Sequence, residues 1–198
     1  MTKLLFKKDI DFIIKELNKG KIIAFPTDTV FGLACVYDHN EAINKIYEAK
    51  GRDFNKALPL MPNNLKMLKE YAYVNKNSKK IIKAFMPGPL TIILKKKDKL
   101  KDVNDKDTIA IRIPNDKWLR RLIRKLNKPL LVTSANISNE ESLKDYKDVY
   151  NSLNNKIDYI VRGKSKDDIS STIVDARNEI KIIREGKISM NDILDVLK

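Results

Sequence analysis

The sequence predicts an α+β or mixed α/β fold with a twisted central sheet. Three observations lead there. Stretches with helical apolar spacing and short apolar runs of strand length share the whole chain, without the strict strand–helix repeat of a doubly wound sheet. Pro129–Val132 (PLLV) is continuously apolar, as a strand covered on both faces must be. Thr108–Pro114 (TIAIRIP) alternates strictly, as a strand with one core face does.

Taken in order, Lys8–Gly20 is an amphipathic helix, with Ile10, Ile13, Ile14 and Leu17 on one stripe and Gly20 closing it. Ile22–Phe25 is a short strand ended by Pro26. Thr27-Asp28-Thr29 then puts small polar groups at its end, with Phe31 and Gly32 behind them. This reads either as a capping turn or as hydroxyls aimed into a pocket. Glu41–Ala49 is a helix with Ala42, Ile43, Ile46 and Tyr47 on one side, running into Lys50-Gly51-Arg52. Cations and a glycine terminate any helix well, so a cap and a binding site both remain open there. Asp53–Lys56 is a loop and Leu58–Met61 a strand. Helices follow at Asn64–Tyr71 and Asn77–Phe85, the second with Ile81, Ile82 and Phe85 inward.

Pro87-Gly88-Pro89 forces a sharp turn. Leu90–Leu94 is a strand, and the lysine-rich loop Lys95–Lys101 reads as a solvated linker. In TIAIRIP, Ile109, Ile111 and Ile113 face the core, while Thr108, Ala110 and Arg112 face the other way. The small neighbours leave space before Arg112 for a planar anion gripped in bidentate fashion. An edge-strand arginine pointing to water is the plainer alternative. Lys117–Leu126 is a helix anchored by Trp118, Leu122 and Leu126. After the strand Pro129–Val132, the residues Thr133, Ser134, Ala135 and Asn136 turn small and mostly polar, which makes either a helix cap or a ligand site. Leu143–Leu153 is helical and Tyr159–Arg162 a strand. Ser170-Ser171-Thr172 leads into the strand Ile173–Val174, and the strand Ile180–Ile183 ends at Arg184-Glu185-Gly186. The last helix, Ser189–Lys198, is capped by Ser189 and turns Ile193, Leu194 and Leu197 inward.

At 198 residues the chain is expected to be a single domain over 1–198. No run approaches the roughly 20 apolar residues of a membrane span, and the start, MTKLLFKKDIDF, lacks a leader pattern. Cys35 and His39 are each the sole residue of their type, so neither an intrachain disulfide nor a zinc-ligand set is available, and a cytoplasmic location is expected. The net charge of +14 invites a polyanion such as RNA or a phosphorylated ligand, although an overall richness in Lys, Asn and Ile also accounts for it.

Common phosphate motifs are absent. Gly163-Lys164-Ser165 resembles the tail of a P-loop, but Asp158 stands where the first glycine belongs. What recurs is short hydroxyl side chains at strand ends (Thr27, Thr29, Ser134, Ser171, Thr172) beside isolated cations (Lys50, Arg52, Arg112, Arg184). Such a set, without a protein nucleophile, suits phosphoryl or nucleotidyl transfer, in which the protein positions reactants and neutralises developing charge.

FPTDTVFGLA, AKGR, MPGPLTIIL, IAIRIP, VTSANIS, SSTIVD and IIREG, in this order over nearly the whole chain, closely resemble the YrdC-like threonylcarbamoyl-AMP synthase family, in its short form. The resemblance implies a YrdC-like twisted mixed sheet around a concave basic cavity. It implies synthesis of L-threonylcarbamoyl-AMP and pyrophosphate from L-threonine, bicarbonate or CO2, and ATP carrying Mg2+. The product would pass to a downstream tRNA threonylcarbamoyl transferase complex for N6-threonylcarbamoyladenosine in tRNAs reading ANN codons, with direct tRNA contact possible and no membrane involved. By the same resemblance Lys50, Arg52, Ser134 and Asn136 form the catalytic tetrad. Arg52, Lys56, Thr108, Ser134, Ser142 and Arg184 would contact ATP. Thr29, Met61, Arg112, Val132 and Ser171 would hold threonine, with Arg112 on its carboxylate. Two other readings share part of this evidence: a carbamoyl transferase working through carbamoyl-AMP, and a double-stranded RNA or tRNA-binding module.

Overall fold

The computed structural model describes residues 1–100, 103, 106–167 and 169–198. The end of the lysine-rich loop, Lys101, lies outside the described residues. Among them, the strands are β1 (Lys3–Leu5), β2 (Ile23–Phe25), β3 (Gly32–Val36), β4 (Leu60–Met61), β5 (Leu90–Lys95), β6 (Thr108–Ile111), β7 (Leu130–Ser134), β8 (Tyr159–Val161), β9 (Thr172–Asp175) and β10 (Lys181–Arg184). The α-helices are α1 (Ile10–Asn18), α2 (Asn40–Lys50), α3 (Leu65–Tyr71), α4 (Lys76–Phe85), α5 (Lys117–Leu126), α6 (Tyr146–Leu153) and α7 (Met190–Asp195). The strands form one ten-stranded mixed sheet in the order β1-β8-β2-β3-β7-β4-β6-β5-β9-β10. No helix among the described residues is long and apolar enough to cross a membrane.

β7 is central. It pairs antiparallel with β3 from Gly32↔Ser134 to Val36↔Leu130, and antiparallel with β4 through Leu60↔Leu131. Its apolar run fits this place, because both faces are covered. Leu131 enters the larger core with α2, α3, α4, α6 and α7, while Leu130 and Val132 enter a second core with α1 and α5. The second core reaches only as far as Met61 and Val132. Beyond it, β6, β5 and β9 turn Thr108, Ala110, Ile93 and Ile173 toward a face that α1 and α5 leave bare, while their alternate residues Ile109, Ile111, Ile92 and Val174 stay in the larger core. The period-2 alternation of these strands thus builds a core on one side and a hollow on the other.

Several readings need correction. β1 and β3 were not legible: β1 is three residues long, and β3 (GLACV) is short, begins with glycine and does not alternate, being buried on both faces. The lysine-rich loop is a packed turn as far as it is described. β5 runs on through Lys95, Lys97 donates to Lys69 O at 2.7 Å, and Lys99 pairs with Glu70 at 3.0 Å. α6 starts at Tyr146 because Asp145 caps it, and Leu143 O instead accepts from Phe31 N at 2.9 Å. In the last helix Ile193 is buried, but Leu194 is 44% exposed.

The Pro-Gly-Pro turn is a structural joint. The Met86–Pro87 peptide is cis, Gly88 N donates to Ile113 O at 3.0 Å, and Gly88 O accepts from Arg112 Nε at 3.1 Å. A Cβ at Gly88 would lie 2.3 Å from the backbone oxygen of Phe85, so no larger residue fits without moving the turn. Gly88→Ala is therefore expected to destabilise the fold by about 1–3 kcal/mol in urea denaturation; an unchanged midpoint would show that the turn is not tightly packed.

Candidate active site

The bare half of the sheet holds a cavity of about 340 Å3. Strand ends build its wall. The turn after β2 supplies Thr27 and Thr29, β4 supplies Met61, β7 supplies Val132, Thr133 and Ser134, and the approach to β9 supplies Ser170 and Ser171. Its cations are Arg52, Lys106, Arg112 and Arg184, and no acidic side chain or histidine lines it among the described residues. All five residues expected at threonine (Thr29, Met61, Arg112, Val132 and Ser171) and four expected at ATP (Arg52, Thr108, Ser134 and Arg184) share this one wall.

Arg112 follows β6 and is buried, not an edge residue facing water. Its Nε donates to Gly88 O at 3.1 Å and its Nη1 to Thr29 Oγ1 at 2.6 Å. Its Nη2 lies 2.7 Å from Asp28 Oδ1. That contact is a close ion pair without hydrogen-bond alignment, so neither buried atom has a hydrogen-bond partner. Thr29 itself is set by Thr27, whose Oγ1 accepts from Thr29 N at 3.0 Å and donates to Val30 O at 2.7 Å. Across the cavity, Arg184 donates through Nη2 to Ser171 O at 2.8 Å, and Ser171 Oγ lies 2.8 Å from Thr91 Oγ1. Burial, and then the positive charge of Arg112, hold the Arg184 guanidinium below its ordinary pKa. Arg52 follows Gly51, which ends α2 in the left-handed conformation that glycine adopts freely. It donates to Lys56 O at 2.9 Å and Ala57 O at 3.3 Å, and burial lowers its pKa too. Both acceptors are neutral, so the charge of Arg52 is not cancelled by them.

Four expected residues stand elsewhere. Lys50, only 1% exposed, does not line the cavity. Its ammonium is spent on the chain that carries Ser134: it donates to Ser134 O and Asn136 O, each at 2.5 Å, and more weakly to Asn136 Oδ1 at 3.4 Å. Asn136 lies with it behind the wall, donating through Nδ2 to Ile137 O at 2.9 Å and Glu140 O at 2.8 Å. These two residues therefore hold the 134–136 turn from behind, and neither lines the hollow. Lys56 is exposed and bonds Asn139 Oδ1 at 3.2 Å, outside the wall. Ser142 is half-buried and also outside it. Among the polar residues of the wall, sequence reasoning missed Thr91, Lys106 and Ser170. Thr91 was findable, since it alternates against Leu90 and Ile92.

Burial, and then the nearby Arg52, bring the Lys50 ammonium from 10.5 down to about 8. Between these values the unfolded chain holds a proton that the folded one has released, so this group makes stability rise with pH across the window from about 8 to 10.5. The stability advantage of the native protein over Lys50→Met should thus grow from pH 8 to 10.5, by up to about 1 kcal/mol per pH unit in denaturant titrations. A flat or falling difference would mean that the carbonyl cage keeps the ammonium charged.

The Sua5/YciO/YrdC family model, described as telomere recombination, matches residues 15–186. A putative threonylcarbamoyl-AMP synthase of Methanocaldococcus jannaschii is 42% identical over 184 residues, covering 92% of this chain and 87% of that protein. The threonylcarbamoyl-AMP synthase of Bos taurus is 32% identical over 183 residues, covering 87% of this chain and 66% of that one. The crystal structure of P. abyssi Sua5 complexed with L-threonine superposes with a TM-score of 0.92 at 28% identity; it covers all of this chain, which spans 61% of that protein's length. With its mixed sheet, its shared cavity and these relatives, the chain belongs to the Sua5/YciO/YrdC family.

Proposed function

We propose that this cavity joins L-threonine, bicarbonate or CO2, and ATP into L-threonylcarbamoyl-AMP, releasing pyrophosphate, for the threonylcarbamoylation of adenosine in tRNA. The observation that carries the reading is the arrangement of cations around one hollow. A buried, braced guanidinium stands at Arg112, and the hydrogen-bond acceptors of Arg52 among the described residues are neutral carbonyls. The relatives named threonylcarbamoyl-AMP synthase, and the threonine bound to P. abyssi Sua5, support the choice of substrates.

In this reading the threonine carboxylate sits on Arg112, with Thr29 and Ser171 offering hydroxyls nearby. The threonine amine adds to CO2 and loses a proton, or adds to bicarbonate with loss of water, and becomes a carbamate. A carbamate oxygen then forms a bond to the α-phosphorus of ATP while the bond to the β-phosphate oxygen breaks, and pyrophosphate leaves. Arg52 neutralises charge growing on the phosphate oxygens, and Ser134 lies beside them on a turn that Lys50 holds from behind. No side chain is acylated. Mg2+ would travel with ATP and neutralise its phosphates. Handing the product to a tRNA threonylcarbamoyl transferase, with or without direct tRNA contact, completes the proposed role.

The test is mass spectrometry of products from ATP, bicarbonate and a panel of amino acids. Threonine alone should yield the mixed anhydride, and Arg52→Ala should lower its formation by about 100-fold or more with the fold intact. Adenylate formed from carbamoyl phosphate in place of threonine and bicarbonate would favour the carbamoyl transferase reading instead.

A further inference from the structure

We infer that Asp28, which is not part of the cavity wall, is the positioning residue for Arg112 and thereby sets the affinity of the site for an amino-acid carboxylate; the substrate half of this inference rests on the threonine reading above. Arg112 has three contacts, and two of them, Gly88 O and Thr29 Oγ1, are neutral. Asp28 is the partner that supplies charge, with the two side chains only 8% and 6% exposed. A guanidinium removed from water keeps its place only where its charge is answered.

The Asp28 carboxylate has a second task. Its Oδ2 accepts from Asn115 N at 3.0 Å. Asn115 directly precedes Asp116, which caps α5 by accepting from Leu119 N at 2.8 Å. One carboxylate thus fixes the entry to α5 with one oxygen and Arg112 with the other. Nη2 is buried against Asp28, so its charge is anchored there, while Nε on Gly88 O and Nη1 on Thr29 Oγ1 fix the guanidinium plane at the cavity wall. An amide cannot take the place of Asp28. It would turn its NH2 either toward Asn115 N–H or toward the guanidinium, setting donor against donor.

Two measurements test this. The side-chain Nε–H resonance of Arg112, identified by its absence in Arg112→Lys, reads the restraint of the guanidinium with no substrate present. Steady-state pyrophosphate release reads the substrate constants. In Asp28→Asn the resonance should lose its protection from exchange, and the threonine KM should rise about tenfold or more while the ATP KM stays within about twofold. In an Arg112→Lys background, Asp28→Asn should add little further effect. Asp28→Glu, which retains both acceptors, should give an intermediate rise. The inference is overturned by an unchanged resonance in Asp28→Asn, by threonine and ATP KM rising together, or by an undiminished effect in the Arg112→Lys background. If Asp28→Asn does not fold, Asp28→Glu carries the test: the resonance should shift and the threonine KM alone should rise, and an unshifted resonance overturns the inference. A resonance that depends on Asp28 in a protein with no threonine-dependent turnover would overturn the substrate half and uphold the hold of Asp28 on Arg112.

Discussion

A guanidinium taken out of water must find acceptors for its donors and an answer to its charge, and Arg112 does so where three parts of the chain meet. The turn after β2 gives it Asp28 and Thr29, the Pro-Gly-Pro turn before β5 gives it a carbonyl, and the end of β6 carries it. The sheet has two halves joined by the short β4, and Arg112 fastens them just where the cover of α1 and α5 gives out. The hollow is therefore a seam in the fold, and the residue that closes the seam also lines it.

Charge is graded along this seam. At Arg112 a carboxylate offsets the guanidinium; at Arg52 and Arg184 the hydrogen-bond partners are backbone carbonyls, which orient a cation without cancelling it. A zwitterionic amino acid would suit the first environment and a polyphosphate the second. Lys50 works one layer back. By drawing the carbonyls of Ser134 and Asn136 onto one ammonium, it bends the end of β7 so that Ser134 reaches the wall.

Much of this was legible in the sequence, for reasons that differ by residue. Strict alternation in TIAIRIP put Arg112 on the face opposite the isoleucines, and the cavity is on that face. Its partner Asp28 could not be read, because a buried ion pair between distant segments leaves no local pattern. Lys50 and Arg52 were visible as cations ending a helix, but the direction of each side chain is fixed by tertiary packing: Gly51 turns the chain, so one goes behind β7 and the other into the hollow. Lys56 and Ser142 came from motif resemblance alone, which matches positions and says nothing about where a side chain points. β3 escaped because a short strand buried on both faces has neither alternation nor length to mark it.

The most direct test of the central claim is a crystal structure with L-threonine and a non-hydrolysable ATP analogue bound together. The account predicts one shared cavity, with the threonine carboxylate at hydrogen-bond distance, about 3 Å, from the Arg112 guanidinium and the phosphates between Arg52 and Ser134. Threonine bound away from Arg112, or the two ligands in separate clefts, would contradict it.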